Sequence, residues 1–262
     1  ADKSTAELVN VVPSEKPSDA YRAVAEKAKE FLPSYMHPWM NRSVCKRTVM
    51  TIPYNATKDS SRKYIREALL EKGIDPTKDE LTQVVNAVYN SMDSIVPGPM
   101  EVMRWIKKHV GQYIRNGATE VQWVTPSGFI VNQRRDDIET KQMQLQLLGR
   151  TQIRLPTGKS KPSPTKHKSS TAPNYIHSFD ASILHRSFNQ FDEPFTVIHD
   201  SVLCRAGDMG TLNRLVRETY TNIFSEKCWL SEFAETINAS EPPPIVGTLD
   251  PKVVSNSTYF FC

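Results

Sequence analysis

The chain has 262 residues, 39% of them hydrophobic and 24% charged, and a formal net charge of +4. This length allows one large domain or two small ones with a buried core, and the composition excludes a disordered or fibrous protein. No run approaches the roughly 18 apolar residues of a membrane span, the start ADKSTAEL has no signal-peptide core, and the cysteines lack metal-site spacing, which together predict a cytosolic protein with reduced thiols at Cys45, Cys204, Cys228 and Cys262.

Helical patterns dominate the first 119 residues. A helix is predicted within residues 18–32, where Ser18 is a suitable N-cap and apolar residues fall near helical spacing. A Pro-interrupted aromatic link, SYMHPWMN, follows at 34–41. Further helices are predicted from Arg42, over 60–72, over 81–96 with its end at Pro97-Gly98, and over 100–117 with its end at Asn116-Gly117.

The second half mixes strands and helices. EVQWVTPSGFIVNQR (120–134) predicts a hairpin that turns at Pro126-Ser127-Gly128. Residues 157–172, TGKSKPSPTKHKSSTA, are basic and rich in Pro and Ser, which predicts a mobile loop. The remaining predictions are a strand pair over 138–156 around Gly149, a helix after Ser178, a hairpin within 195–207, a helix over 210–226 and extended structure over 241–262. The predicted fold class is α+β and helix-rich, with short antiparallel β-hairpins.

Positive charge is concentrated in two segments. Seven basic residues lie from Arg42 to Arg66 against Asp59 alone, and a second cluster contains Lys159, Lys161, Lys166, His167 and Lys168. Local excess of this size favours polyphosphate partners such as nucleotides or nucleic acid. For the second cluster alone, a solvated lysine-rich face is an equally good interpretation.

Four side chains in RSVCKRTVMTIPYN (42–55) are spaced four residues apart: Arg42, Lys46, Met50 and Tyr54. On a helix this spacing puts them on one face. Two cations would then face a phosphate chain, and the tyrosine ring would face a base or sugar. An ordinary helix face with Met and Tyr in the core is the alternative.

The triplet His199-Asp200-Ser201 interrupts two short runs of β-forming residues. Asp and Ser are common turn residues, so a plain β-turn is one interpretation. A nucleotide-polymerising site also needs a carboxylate near a strand end for Mg²⁺, cations for the triphosphate and contacts to the sugar. Asp200 would be the metal ligand. A second carboxylate motif is not visible, and Asp180 in HSFDAS is equally suited to capping a helix.

Six motifs carry a family resemblance. RSVCKRTVMTIPYN, WVTPSGF, LGRTQIRLPT, PNYIHSFDAS, VIHDS and VRETY occur in the order found in single-subunit, bacteriophage-type DNA-directed RNA polymerases. The resemblance implies the fingers and partial palm of a right-hand fold. It divides the chain into helical fingers at 1–119 with a nucleotide-binding helix at about 38–55, promoter-recognition hairpins and a basic loop at 120–172, and C-terminal palm at 173–262.

The resemblance also implies roles for individual residues. Asp200 would be one of two catalytic aspartates that bind Mg²⁺, and Lys46 the catalytic lysine at the triphosphate. Tyr54 would stack at the insertion site and help to exclude deoxyribose. The other implied contacts are Arg42, Arg47, Met50, His177 and His199 to the substrate or RNA end, and Lys141 and Arg154 to nucleic acid.

The implied reaction is template-dependent transfer of ribonucleotides from NTPs to the RNA 3′ end by a two-metal mechanism. The implied partners are promoter DNA, nascent RNA and NTPs, for a monomeric enzyme in the cytoplasm of an infected bacterium. We expect the first aspartate motif, the thumb and an N-terminal domain to precede Ala1, and the chain to be an inactive C-terminal fragment. Two residues depart from the family pattern: Asn55 replaces a glycine, and Pro53 would kink a helix that continued to Tyr54.

Two other classes remain. A family A DNA polymerase shares Arg-x3-Lys and a Tyr eight residues beyond the Lys, but it has Glu where this chain has Ser201 and an aromatic residue where it has Met50. A non-catalytic nucleic-acid-binding module would use the two basic segments alone.

Overall fold

The computed structural model describes residues 2–54, 56–145, 151–199 and 201–261. Up to residue 115 the described elements are helical. They are α1 (Lys3–Leu8), α2 (Ala20–Lys29), a 3-10 helix (Ser34–Trp39), α3 (Arg42–Thr51), α4 (Lys58–Leu70), α5 (Lys78–Ile95) and α6 (Pro97–Arg115). The helices predicted from periodicity are confirmed, with α6 beginning at Pro97, where a proline at the first helical position has no hydrogen bond to lose.

Hairpins alternate with helices in the rest of the chain. The elements are β1 (Val121–Val124), β2 (Ile130–Gln133), β3 (Asp136–Leu145), β4 (Thr151–Pro162), α7 (Pro164–Phe188), β5 (Phe195–Ile198), β6 (Ser201–Cys204), α8 (Met209–Glu226) and α9 (Trp229–Thr236), with 3-10 turns at Ala206–Asp208 and Pro251–Asn256. Each described hairpin is a separate two-stranded antiparallel sheet. The predicted α+β, helix-rich class with short hairpins is therefore confirmed.

Three helix boundaries differ clearly from prediction. The helix predicted after Ser178 already begins at Pro164, so Asp180 lies inside α7 and not at its start. Asp19, rather than Ser18, caps α2, because its carboxylate accepts the Arg22 amide at 3.1 Å. The nucleotide-binding helix predicted at about 38–55 is shorter, since α3 ends at Thr51. Ile52, the residue before Pro53, still has helical dihedral angles, but Pro53 has no amide to donate to the Val49 carbonyl, so the helix ends here instead of continuing with a kink. Asn55 lies outside the described residues.

The prediction of a mobile loop at 157–172 is wrong. This segment is the end of β4 and the start of α7. Ser163 caps α7 by accepting the Lys166 amide, and Pro164 occupies the first turn. His167, Thr171 and Tyr175, four residues apart, are all buried. Composition suggested disorder, whereas the capping residues and this spacing determine the helix. The end predicted as extended, 241–262, contains the 3-10 turn at Pro251–Asn256.

The buried residues form three clusters. One joins α2, the 3-10 helix after it, α3, α4 and α5, with Val24, Val44 and Ile65 among its members. The second joins α6, β1, α7, the end of α8 and α9, and the third packs the start of α8 beneath Phe191. Within the ranges that the structure describes, no helix is long and apolar enough to cross a membrane.

Candidate functional site

Helix α3 presents two contrasting faces. Val44, Cys45 and Val49 are buried in the first core cluster. Arg42, Lys46 and Met50 lie on the opposite face and are exposed. The spacing-based prediction of a single exposed stripe is confirmed for these three residues, and Met50 does not enter the core.

Tyr54 lies in the turn that follows α3, and its amide donates to the Thr51 carbonyl at 3.0 Å. The centre of its ring is 4.7 Å from the centre of the His177 imidazole on α7. The His177 ring is in turn 6.4 Å from the His199 ring, at 87°. Three segments that are distant in sequence thus bring their exposed rings into one cluster, called here the ring cluster (Tyr54, His177 and His199).

The β1–β2 hairpin holds the part of α7 that carries His177. Trp123 on β1 donates from Nε1 to the Ser178 hydroxyl at 3.0 Å, directly beside His177. Gln133 on β2 donates to the Thr171 hydroxyl at 2.7 Å and accepts from the Asn174 amide at 2.6 Å. The β1–β2 hairpin therefore contacts α7 on both sides of His177, at Thr171 and Asn174 before it and at Ser178 after it.

The β5–β6 hairpin carries His199 at its tip. Ile198 pairs with Ser201, and His199 directly follows Ile198. His199 has φ 58°, a left-handed conformation that is typical of tight hairpin turns. Asp200, the predicted metal ligand, lies outside the described residues. In the part of the chain that is described, no three His, Cys, Asp or Glu side chains are grouped closely enough to hold a metal ion.

The two arginines of α3 are both engaged. Arg42 donates from Nε to Asp19 at 2.7 Å, and its guanidinium lies 5.3 Å from the centre of the Tyr21 ring. Arg47 is ion-paired with Glu67 on α4 at 3.0 Å. Lys46 lies between them and is exposed, and among the described residues it has no ion-pair partner. Lys46 is therefore fully available to a new anion, whereas each arginine already has one carboxylate partner.

The first basic segment is more neutral than its sequence indicates. Acids from outside the segment pair with it: Asp19 with Arg42, Glu67 with Arg47, and Asp75 with Arg66 at 3.7 Å. Arg62 pairs with Asp59. The expected excess of charge is thereby reduced to three lysines, Lys46, Lys58 and Lys63, which have no ion-pair partner among the described residues.

His167 does not belong to the second basic cluster as a cation. It is fully buried, its Nδ1 lies 2.8 Å from the Ser163 carbonyl, and its Nε2 lies 3.2 Å from the Arg135 amide. A carbonyl only accepts and an amide only donates, so the ring carries its proton on Nδ1 and is neutral. Lys166 in the same cluster is paired with Asp137 at 3.0 Å.

The long β3–β4 hairpin carries the two residues predicted to contact nucleic acid. Lys141 is opposite Leu155, and Arg154 is opposite Gln142. Directly opposed residues share a face and neighbouring residues alternate, so Lys141 and Arg154 lie on different faces. Both are exposed, but one flat ligand surface cannot contact both faces at once.

Sequence reasoning did not identify Asp19, Tyr21 and Trp123 as part of this site. Asp19 was available as a capping residue, and Tyr21 and Trp123 as core aromatics, but their contacts to Arg42 and Ser178 join residues far apart in the chain. The periodicity of a sequence indicates which residues share one face of a helix or strand, so it cannot predict such contacts.

Residues 1–243 match the sequence model of the DNA-dependent RNA polymerase family, and the chain belongs to that family. It is 27% identical to the mitochondrial DNA-directed RNA polymerase of Homo sapiens over 294 residues, which covers 99% of this chain and 24% of that protein. It is 26% identical to T7 RNA polymerase of Escherichia phage T7 over 334 residues, covering 99% of this chain and 38% of that protein. A DNA-directed RNA polymerase of Pseudomonas phage phiKMV is 25% identical over 231 residues, which cover 85% of this chain and 28% of that protein. The chain thus spans about a quarter to two fifths of these relatives.

Proposed function

We propose that this chain forms the part of a DNA-directed RNA polymerase that selects the incoming ribonucleotide and contacts the RNA end. The observation that carries the proposal is the ring cluster, in which Tyr54 and His177 are 4.7 Å apart and His199 is beside them. Its members come from three different family motifs. A shared site is a better explanation for such exposed rings than packing, because exposed rings contribute little to a core.

Lys46 would bind the triphosphate of the incoming nucleotide. It is exposed on the same helix face as Arg42, and a lysine ammonium suits a phosphate chain as a mobile point charge. Arg42 would contact a phosphate through its remaining N–H groups. Tyr54 and His177 would contact the sugar. Met50 lies between the cations and the tyrosine on the stripe, whereas Arg47 is drawn towards Glu67 on α4.

Divalent metal use is a general property of this family, and Mg²⁺ is proposed here. Carboxylate oxygens are the ligands that Mg²⁺ prefers, so Asp200 is the candidate ligand. When bound, the ion would neutralise charge on the triphosphate and align the reacting oxygens. Two-metal chemistry requires a second carboxylate, which we propose comes from another part of the polymerase.

The right-hand architecture is also proposed. The helical core around α3 suits fingers, the β5–β6 hairpin suits the palm, and the exposed β3–β4 hairpin suits promoter DNA, with Lys141 or Arg154 as contacts. The boundaries at 119 and 172, the monomeric state and the nascent RNA partner stay predictions. Location in an infected bacterium also stays a prediction, since phage and mitochondrial relatives both match.

The test is template-directed nucleotide incorporation by the polymerase that contains this sequence, with Tyr54→Phe as the diagnostic variant. Removing the hydroxyl should lower the preference for ribonucleotides over deoxyribonucleotides by about tenfold, the value of one hydrogen bond. Tyr35→Phe is the matched control, because Tyr35 is an exposed tyrosine whose hydroxyl contacts Glu80 at 3.3 Å, away from the ring cluster. Unchanged discrimination in Tyr54→Phe would refute the sugar-selecting role.

Asp200→Asn separates the classes of function. It should abolish Mg²⁺-dependent ribonucleotide incorporation while nucleic-acid binding persists. Retained incorporation would show that Asp200 is not a catalytic ligand. A wild-type preference for deoxyribonucleotides would indicate a DNA polymerase, and nucleic-acid binding with no incorporation would indicate a binding module.

A further inference from the structure

Asp19 joins two helices at the edge of the proposed triphosphate site. One carboxylate oxygen accepts the Arg22 amide at 3.1 Å and so caps α2, while the other accepts Arg42 Nε at 2.7 Å. Arg42 is the first residue of α3, 23 positions further along the chain. A carboxylate that is fixed by its own helix is thus the partner of the first cation on the exposed stripe.

The way in which Arg42 is held leaves its phosphate-binding end available. Asp19 uses Nε, and Tyr21 lies against the guanidinium at 5.3 Å. Across the described ranges, no other carboxylate is within ion-pair distance of Arg42. Nη1 and Nη2 can therefore donate together to one phosphate, the bidentate geometry in which arginine is strongest.

The neighbouring Arg47 shows the opposite arrangement. Glu67 uses Nη1 of Arg47, and the guanidinium lies only 4.0 Å from the centre of the Tyr64 ring. The forked end of Arg47 is thus occupied within the protein, whereas that of Arg42 is not. The two arginines differ because Asp19 accepts from Nε of Arg42, whereas Glu67 accepts from Nη1 of Arg47.

The two helices that carry Asp19 and Arg42 are packed against each other. Val24, Ala25 and Ala28 of α2 and Val44 and Cys45 of α3 are all buried in one core cluster. Partial burial raises the pKa of Asp19, but the hydrogen bond from the Arg22 amide, followed by the hydrogen bond and charge of Arg42, holds that pKa below its ordinary value. The carboxylate is therefore charged at neutral pH.

We propose that Asp19 is a positioning residue, which orients Arg42 so that its Nη1 and Nη2 groups face the triphosphate of the incoming nucleotide. This inference rests on the proposed function and adds a residue to it. Stability is a weaker explanation of the contact, because the Arg42 side chain is 49% exposed and exposed ion pairs contribute little. The competing idea is that Asp19 occupies Arg42 and must be displaced by phosphate. It predicts that KM falls when Asp19 is replaced.

The test measures KM and kcat for NTP incorporation by the polymerase, together with the Kd of Mg-ATP. Asp19→Asn is the main variant, since Asn caps a helix as well as Asp does but lacks the charge that holds Arg42. We expect KM and Kd to rise about three- to fivefold with a smaller change in kcat and an unchanged melting temperature. Asp59→Asn is the matched control, because Asp59 also pairs with an arginine in the first turn of its helix, Arg62 on α4.

A double-mutant cycle shows whether Asp19 acts through Arg42. In an Arg42→Ala background, Asp19→Asn should have no further effect on KM or Kd. Additive effects, an unchanged KM, or a KM that falls would overturn the inference while leaving the proposed function intact. A wild-type protein that neither binds Mg-ATP nor incorporates ribonucleotides would overturn both.

Discussion

The Cys45 thiol shows how local burial determines the chemistry of a single residue. It lies on the buried face of α3, immediately before the exposed Lys46, and burial raises its pKa to about 12. Thiolates are the reactive form of cysteine, so Cys45 is inert in the folded protein. Cys228, just before α9, is exposed and reduced.

Alkylation followed by mass-spectrometric mapping should therefore separate the two thiols. At pH 8 iodoacetamide should modify Cys228 at least tenfold faster than Cys45, which should react only when α3 opens. The free energy of unfolding should also fall above about pH 8.5, because the unfolded chain releases the Cys45 proton first. Equal labelling rates for both residues would contradict the buried position of Cys45.

The sequence predicted which residues lie on the exposed face of α3, but not which side chains they contact. The motif spacing identified Arg42, Lys46 and Tyr54, and the exposed face of α3 agrees with that spacing. The same spacing could not show that Arg42 is held by Asp19 or that His167 is a neutral core residue, because those facts depend on atoms brought together by folding.

At the scale of elements, helix α5 has the most complete start. Thr77 and Glu80 form a capping box: the Thr77 amide donates to Glu80 at 2.9 Å, and the Glu80 amide donates to the Thr77 hydroxyl at 3.3 Å. Hydrogen bonds from the Thr77 amide, and then from its hydroxyl, lower the pKa of Glu80. Two amides that the helix cannot satisfy are thus paired.

Thr77→Ala should lower the free energy of unfolding by about 1 kcal/mol at neutral pH. Thr82→Ala in the same helix is the control and should have almost no cost, since the Thr82 hydroxyl only donates to the Lys78 carbonyl at 2.8 Å. Glu80 stabilises the fold above its unfolded pKa, and this contribution is lost as the pH falls through its lower folded pKa. Urea unfolding at pH 7 and pH 3 should therefore show a smaller gap between wild type and Thr77→Ala at the lower pH.

Element prediction succeeded where periodicity and turn residues agreed, as in α5, α6 and the β1–β2 hairpin. The strands of the other two hairpins also form as predicted, but Gly149, around which a turn was predicted, lies outside the described residues. Element prediction failed for the start of α7, since Lys, Ser and Pro dominate 157–172 and the buried His167 and Thr171 are polar. A polar side chain that is satisfied inside a core is invisible to a hydrophobic pattern.

For the whole molecule, the C-terminal segment lies against α8 and also contacts the segment around Asn10. Arg217 donates to the carbonyls of Val254 and Ser257, and its guanidinium lies 5.2 Å from the centre of the Phe260 ring. The Ser257 hydroxyl donates to the Asn10 carbonyl at 2.6 Å. The arrangement makes Arg217 the common anchor of the final described segment.

Arg217→Met should release that segment, because Met keeps the aliphatic stem but cannot donate to the carbonyls. We expect amide hydrogen exchange in 250–261 to increase by about tenfold or more, with little change in α5. Arg214→Met on the same helix is the control, since Arg214 is exposed and its ion-pair partner among the described residues is Glu218 at 3.1 Å. Similar exchange in both variants would show that Arg217 is not the anchor.

Helix α7 connects the base of the long hairpin to the ring cluster. Ser163 and Lys166 near its start bond to the Arg135 and Asp136 carbonyls at 2.8 and 2.6 Å, and His177 follows eleven residues after Lys166. At 1.5 Å per residue these eleven residues span about 16 Å of helix. The distance between the β3–β4 hairpin and the ring cluster is thus set by one helix. It changes when that helix bends, and Pro173, which lies inside α7, is the residue at which a bend is expected.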